Sequence, residues 1–340
     1  MKKTIVQILK IAGFLALGIL LLYLAFRGIE FDKLGEILRE TNFWWIGLAL
    51  LFAFISLIAR ARRWVLLVEP LGYKPSLKNT YHAVMVGYLS NFALPRMGEV
   101  TRCVTLGKRE KIPVDSLIGT VIIERVIDLF MLLMIMVLLL FSWMEKFGAF
   151  FSENIFDPLN QKMTETFGGM FLFWLMVLGI LVLITLFIYL FRRQLGRFGW
   201  VLRIRNFLTG ILDGLKTIYK MRRKWEFIFH SVFIWILYIM MTWVVVFALD
   251  ETSSLTLIDG VFLLVIGGLG MSVPVPGGVG AFHWITSRGL VYVYDLTLEQ
   301  GGAYAILAHE SNSLFLILLG ILSYILLLVT RKSKQPEKTS

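Results

Sequence analysis

Cysteine is almost missing from this sequence, which has Cys103 alone among 340 residues. A single cysteine excludes an intramolecular disulfide and any metal site built from several cysteines. Charged residues are scarce too, at 17% of the chain, where soluble proteins carry about 25%. This composition argues against a soluble domain.

The motifs of nucleotide, metal and hydrolytic chemistry are also missing. The sequence has no P-loop, no dinucleotide-binding loop, no H-E-x-x-H helix and no G-x-S-x-G elbow. The glycine-rich turn at 277–280 does not replace them, because no predicted strand precedes it. We therefore expect no cofactor, no metal site and no catalytic residues, and we do not expect an enzyme.

Apolar residues are abundant, at 58% of the chain, and the mean hydropathy is +0.77. Crossing a bilayer as a helix takes about 20 consecutive apolar residues. Six stretches reach that length, and they predict an all-α, polytopic membrane protein. They cover roughly residues 4–26, 43–66, 116–143, 170–191, 227–249 and 303–330.

Two further apolar segments are shorter and broken by proline and glycine. The first runs from Tyr81 to Pro95 and the second from Leu257 to Tyr294. Irregular backbone is tolerated at membrane depth only where it is buried in protein or lines a cavity. Both segments are therefore predicted to be re-entrant helical hairpins. The predicted hairpin-forming residues are Pro95, Gly98, Pro274, Pro276, Gly277, Gly278 and Gly280.

The net charge of +11 could indicate a nucleic-acid partner, but the basic residues cluster at the ends of apolar runs. Such clustering is typical of the positive-inside rule. Most basic residues, including those from Arg60 to Lys111, fall on one side if both termini are cytoplasmic. We therefore expect no nucleic acid, and instead a multi-pass protein of the cell inner membrane with both termini inside.

With that orientation, the two halves of the chain have the same order of spans and opposite direction. Each half reads span, span, broken segment, span. We predict one transmembrane domain over residues 1–332, with inverted pseudo-repeats at about 1–145 and 165–332, and a disordered cytoplasmic tail at 333–340. The alternative to an inverted repeat is that two kinked helices occur at similar places in the two halves by chance.

Three charged residues, Glu124, Arg125 and Asp128, lie within a predicted span. A charge at the bilayer centre costs at least about 2.5–3.5 kcal/mol, so such residues usually pair and usually have a role. Arg96 and Arg102 are the candidate partners. The group either contacts a substrate or forms an internal salt-bridge cluster that holds the hairpin.

Polar residues also flank both broken segments. Asn91, Arg96, Glu99 and Arg102 surround the first break, and the arginines would suit a phosphate group. His283 follows the second break, and His309 and Glu310 lie near the start of the last span. A histidine beside a glutamate either relays protons or caps a helix.

The order Asn91-x-x-x-Pro95-Arg96-x-Gly98-Glu99-x-x-Arg102, then Glu124-Arg125-x-x-Asp128, then Pro274-x-Pro276-Gly277-Gly278-x-Gly280 resembles the lysylphosphatidylglycerol synthase transmembrane-region family. The resemblance covers essentially the whole chain. It departs at His283 and at the His309–Glu310 pair, where relatives often carry an acidic residue and an arginine.

The resemblance implies a lipid flippase or lipid-binding transporter without a synthase domain. Its substrate would be an anionic phospholipid, an aminoacyl-lipid or a lipid-linked sugar. The implied substrate-binding residues are Asn91, Arg96, Glu99, Arg102, Glu124, Arg125, Asp128, His283 and Glu310. Two alternatives are a membrane-embedded transferase and a scaffold for a separately encoded lipid-modifying enzyme. A homo-oligomer is compatible with all three.

Overall fold

A computed structural model describes residue 13 and residues 16–94, 97–169, 171–180 and 221–330. Over these residues the chain is helical and contains no strand, which confirms the predicted all-α class. The predicted tail at 333–340, and Pro95 and Arg96 of the first hairpin, lie outside the described residues.

The main helices are described in chain order. They are α1 (Ala16–Phe26), α2 (Phe31–Arg39), α3 (Phe43–Val68), α4 (Leu77–Ala93), α5 (Met97–Glu110), α6 (Val114–Ser142), α7 (Met144–Phe151), α8 (Asp157–Phe167), α9 (Phe171–Ile180), α10 (Lys224–Val244), α11 (Leu257–Met271), α12 (Ala281–Tyr294) and α13 (Leu298–Val329).

Internal contacts divide the chain into two compact units. The larger unit is Met1–Leu139 with Thr217–Ser340, and the smaller is Leu140–Lys216. In the larger unit α3 packs along α10 and α4, while α13 packs against α2, α3, α4 and α12. In the smaller unit a short π-helical turn, Ser152–Phe156, joins α7 to α8.

Three segments among the described residues are long and apolar enough to cross a membrane, namely Phe43–Leu71, Lys224–Ala248 and Leu298–Val329. They match the predicted spans 43–66, 227–249 and 303–330. The predicted span 116–143 falls in α6, a single helix of 29 residues. The predicted spans 4–26 and 170–191 run partly over residues outside the described part of the chain, and the total of six stays a prediction.

Polar side chains fix where several helices begin. The Asn42 side chain accepts a hydrogen bond from the backbone N–H of Trp44 at the start of α3. Ser76 accepts from Asn79 at the start of α4, and Thr297 accepts from Gln300 at the start of α13. These caps satisfy N–H groups that have no partner inside their own helix.

The first broken segment is a pair of helices, α4 and α5, that pack on one another around a break after Ala93. The backbone N–H of Gly98 donates to Asn91 Oδ1 at 2.7 Å, which ties the two helices together. Their backbones meet at Gly98, where an added Cβ would overlap the Gly87 carbonyl oxygen and lie 2.7 Å from Asn91 Cγ. Only glycine allows this approach.

Gly98→Ala should therefore destabilise the protein by about 1–3 kcal/mol, the usual cost of forcing extra volume into a packed site. The matched control is Gly47→Ala on α3, where an added Cβ meets nothing within 4 Å. Thermal unfolding in detergent measures both variants. Equal melting temperatures for Gly98→Ala and Gly47→Ala would contradict the close packing.

The second broken segment is formed by α11 and α12, which pack together around a turn at Pro276–Gly278. Pro274 lies in the loop before the turn. Gly277, Gly278 and Gly280 have φ angles of 63°, 78° and 83°, which side chains rarely adopt. An added Cβ on Gly280 would also lie 2.5 Å from the backbone nitrogen of Leu22 on α1.

Both interrupted segments are thus helical hairpins, as the sequence predicts. Their entry from opposite membrane faces stays a prediction, as do the pseudo-repeats at 1–145 and 165–332.

Candidate functional site

A buried carboxylate, Glu124 on α6, lies at the centre of a cluster of charged residues. Its side chain is 1% exposed. Helix α3 presents Arg60 and Arg63 to it from one face, because residues three apart on a helix are neighbours. Helix α5 presents Arg102 from the first hairpin. Three helices therefore meet at one side chain.

The contacts of Glu124 are short and involve both carboxylate oxygens. Arg60 Nη2 donates to Oε1 at 2.7 Å, and Arg102 Nη1 donates to Oε2 at 3.1 Å. Arg125 Nη2 donates to Oε1 at 3.3 Å, and Arg63 Nη2 lies 3.4 Å from the same oxygen. Hydrogen bonds between charged groups are stronger than neutral ones, so these contacts hold the carboxylate firmly.

Two further acids complete the cluster. Asp128 Oδ1 lies 2.8 Å from Arg63 Nη2, and Asp128 Oδ2 lies 3.8 Å from both Arg60 Nη2 and Arg125 Nη1. Glu99 Oε1 lies 3.9 Å from Arg125 Nε. Four arginines thus face three carboxylates, and the cluster carries excess positive charge.

Some of the buried arginine nitrogens have no hydrogen-bond partner among the described residues. They are Nε of Arg60, Nε and Nη1 of Arg63, and Nη2 of Arg102. A buried cationic donor without a partner is costly, because it has lost its water and gained nothing in exchange. The site therefore has both the charge and the free donors to bind an anion.

Neighbouring aromatic rings hold two of these arginines in place. The Arg102 guanidinium lies over the Trp64 ring, 4.8 Å from its centroid, and the Trp64 indole N–H donates to Thr120 Oγ1. Arg60 Nη1 donates to the hydroxyl of Tyr238 on α10 at 2.8 Å. Such contacts reduce the movement of the arginines and favour a fixed charge arrangement.

The cluster becomes more accessible from Glu124 towards Arg125. The side chain of Asp128 is 17% exposed and that of Arg125 is 44% exposed. A groove of about 290 Å³ opens beside Arg125, and its lining is apolar except for Glu99 and Arg125. It is lined by Glu99, Val100, Ile118, Val121, Ile122, Arg125, Val126 and Leu129. Polar donors and an apolar groove therefore lie side by side.

The second hairpin carries a separate group of polar residues. Glu310 Oε1 lies 3.0 Å from His309 Nδ1 and 3.4 Å from His283 Nε2. His309 Nε2 lies 2.8 Å from the carbonyl oxygen of Gly277 in the turn. Among the described residues, no hydrogen bond or ion pair joins this group to the arginine cluster.

Most of the sequence-predicted site residues fall into these two groups. Glu99, Arg102, Glu124, Arg125 and Asp128 come together, and Arg102 is the predicted partner that pairs with Glu124. His283 and Glu310 form the second group. Arg96 lies outside the described residues, and Asn91 instead bonds within the first hairpin.

Two residues of the cluster, Arg60 and Arg63, are not among the sequence-predicted site residues. Their place at the end of an apolar run predicts cytoplasmic positive charges, but both are buried, with Arg63 0% exposed. One signal in the sequence does indicate this: the apolar residues Trp64–Val68 continue the same helix beyond the arginines.

Comparison with known proteins gives a consistent assignment. The family described as "Lysylphosphatidylglycerol synthase TM region" matches residues 8–320. A UPF0104 membrane protein, MJ1595 of Methanocaldococcus jannaschii, is 25% identical, over 91% of this chain and 92% of that protein. No solved structure matches.

Proposed function

This chain belongs to the lysylphosphatidylglycerol synthase transmembrane-region family of integral membrane proteins, and from that premise we propose that it is a lipid flippase or lipid-binding transporter. Its substrate is a phospholipid, an aminoacyl-lipid or a glycolipid with a phosphate in its headgroup. Its place is the cell inner membrane, with both termini cytoplasmic. A separately encoded lipid-modifying enzyme would supply the substrate.

The observation that carries the proposal is the excess of arginine in the cluster around Glu124. Arginine presents planar, paired N–H donors that match the oxygens of a phosphate. Arg60, Arg63 and Arg102 retain buried nitrogens with no partner among the described residues. A lipid phosphate at the accessible edge of the cluster, beside Arg125, would neutralise the excess charge that these buried arginines maintain.

The groove beside Arg125 supports a lipid rather than a free anion. Its apolar walls would contact an acyl chain while the headgroup lies at Arg125, the most exposed arginine of the cluster. Burying apolar surface contributes roughly 25 cal/mol per Å², so a chain in the groove adds to the affinity of the headgroup.

The contacts of Glu124 favour binding over catalysis by a transferase. Both of its oxygens already accept hydrogen bonds from arginines. A general base needs a lone pair within reach of the proton that it removes. Glu124 is instead occupied with neutralising charge, which is the role expected in a binding site.

The test is translocation of labelled phosphatidylglycerol by protein reconstituted in liposomes. Arg125→Ala should slow translocation about tenfold or more, because a hydrogen bond to a charged group contributes roughly 1.5–3 kcal/mol. The fold should survive this change, since Glu124 keeps Arg60 and Arg102 as partners.

The matched control is Arg62→Ala on the opposite face of α3. Arg62 pairs with Glu226, which keeps Arg223 as a second partner at 2.5 Å. This variant should translocate lipid at the wild-type rate. Identical rates for wild type, Arg125→Ala and empty vesicles would rule the proposal out.

A further inference from the structure

Three potential metal ligands meet where the second hairpin contacts α13. His283 comes from α12, and His309 and Glu310 come from α13. One ligand atom from each residue lies within 4.8 Å of the others, and Glu310 Oε1 faces His283 Nε2 and His309 Nδ1. From this geometry we infer that His283, His309 and Glu310 bind a divalent transition-metal ion of the Zn²⁺ class.

The distances fit a tetrahedral ion closely. Ligand atoms about 2.0–2.1 Å from a tetrahedral Zn²⁺ lie roughly 3.3 Å from one another. Glu310 Oε1 lies 3.0 Å from His309 Nδ1 and 3.4 Å from His283 Nε2. The side chains therefore need only small movements to coordinate an ion.

The chemistry of the ligands also fits. Two imidazole nitrogens with one carboxylate are a usual zinc set, whereas Mg²⁺ and Ca²⁺ prefer oxygen ligands throughout. Both histidines are well buried, with side chains 3% and 4% exposed. The ring of Phe282 lies 5.0 Å from that of His309 and shields it further.

The turn of the second hairpin orients His309 for this role. His309 Nε2 donates its proton to the carbonyl oxygen of Gly277 at 2.8 Å. That bond leaves Nδ1 as the nitrogen that faces Glu310, and metal-binding histidines usually hold their second nitrogen in this way. The cation would lie between His309 Nδ1 and Glu310 Oε1, which are 3.0 Å apart.

His283 needs one adjustment to coordinate the ion. The backbone N–H of Gly280 lies 3.4 Å from His283 Nδ1, so Nε2 carries the proton in the present arrangement. This contact is longer than the usual range of about 2.7–3.2 Å. Moving the proton to Nδ1 therefore sacrifices a weak contact and frees Nε2 for the metal.

The proposed site has one open side. Glu310 is 43% exposed, unlike the two histidines. Three protein ligands with a fourth, exchangeable position are typical of zinc sites that bind a further ligand rather than purely structural ones. Water or an oxygen of a lipid headgroup would occupy that position.

Metal binding by the full chain in detergent tests the inference directly. The protein is purified without a polyhistidine tag, stripped with a chelator and titrated with Co²⁺, whose visible absorption reports tetrahedral coordination. We expect one Co²⁺ per chain, displaced by Zn²⁺. Glu310→Gln, which keeps the shape of the side chain, should weaken the affinity by at least about tenfold. His283→Ala should remove the tetrahedral absorption.

The chain supplies its own control in His230, which lies outside this group and next to Glu226. His230→Gln should bind Co²⁺ like the wild type. The inference fails if the wild type shows no tetrahedral Co²⁺ signal, or if His230→Gln and Glu310→Gln lose the same affinity. Because the assay uses metal alone, its result does not depend on lipid transport.

Discussion

Glu124→Gln should cost about 3–5 kcal/mol of stability, the usual penalty for removing one partner from a buried ion pair. The change leaves Arg60 and Arg63 with Asp128 as their remaining acid, and it removes the carboxylate that pairs with the buried Arg102. Total stabilities of protein domains are only about 5–15 kcal/mol, so this loss would remove much of the margin. We expect little monodisperse protein on size-exclusion chromatography and a much lower melting temperature.

Two companion variants make this result interpretable. Glu153→Gln changes an exposed acid in the smaller unit and should leave stability unchanged. The double variant Glu124→Gln/Arg102→Gln removes a charge of each sign and should recover part of the loss. A Glu124→Gln protein as stable as Glu153→Gln would show that the carboxylate does not hold the cluster together.

Phosphatidylglycerol should raise the melting temperature of the wild-type protein in detergent, and diacylglycerol with the same acyl chains should not. The two lipids differ in the phosphate headgroup, which is the group that the positively charged cluster would bind at Arg125. A ligand at 100 times its Kd stabilises the folded state by about 2.7 kcal/mol.

The variants Arg125→Ala and Arg62→Ala separate binding of the headgroup from general effects of the lipid on stability. Arg125→Ala should lose most of the phosphatidylglycerol-induced shift, and Arg62→Ala should keep it. An equal shift with diacylglycerol would mean that the lipid acts through its acyl chains alone. An equal shift in both variants would remove Arg125 from the binding site.

The hairpins could be predicted from sequence because their cause is local. Proline removes a backbone donor and glycine loosens a helix, so the Pro-Gly run at Pro276–Gly278 predicts a break wherever the rest of the chain lies. The pairing of Glu124 with Arg102 was also within reach, since a buried acid needs a basic partner and few lie near it in the chain.

The other contacts of the arginine cluster, and the meeting of the two histidines, depend on tertiary packing. No local sequence pattern indicates them. Arg60 and Glu124 are 64 residues apart, and an arginine at the end of an apolar run satisfies the positive-inside rule equally well. His283 and His309 are similarly brought together only by the packing of α12 on α13. Zinc motifs that rely on short spacings therefore miss them.

Because one carboxylate serves arginines from α3, α5 and α6, their contributions cannot be separated one at a time. The arginines repel one another, yet each depends on the acid that the others also hold. Removing one arginine would relieve repulsion as well as break an attraction. A scan of single substitutions would therefore underestimate the contribution of each arginine to stability. Only multiple-mutant cycles would reveal how strongly the three helices are coupled.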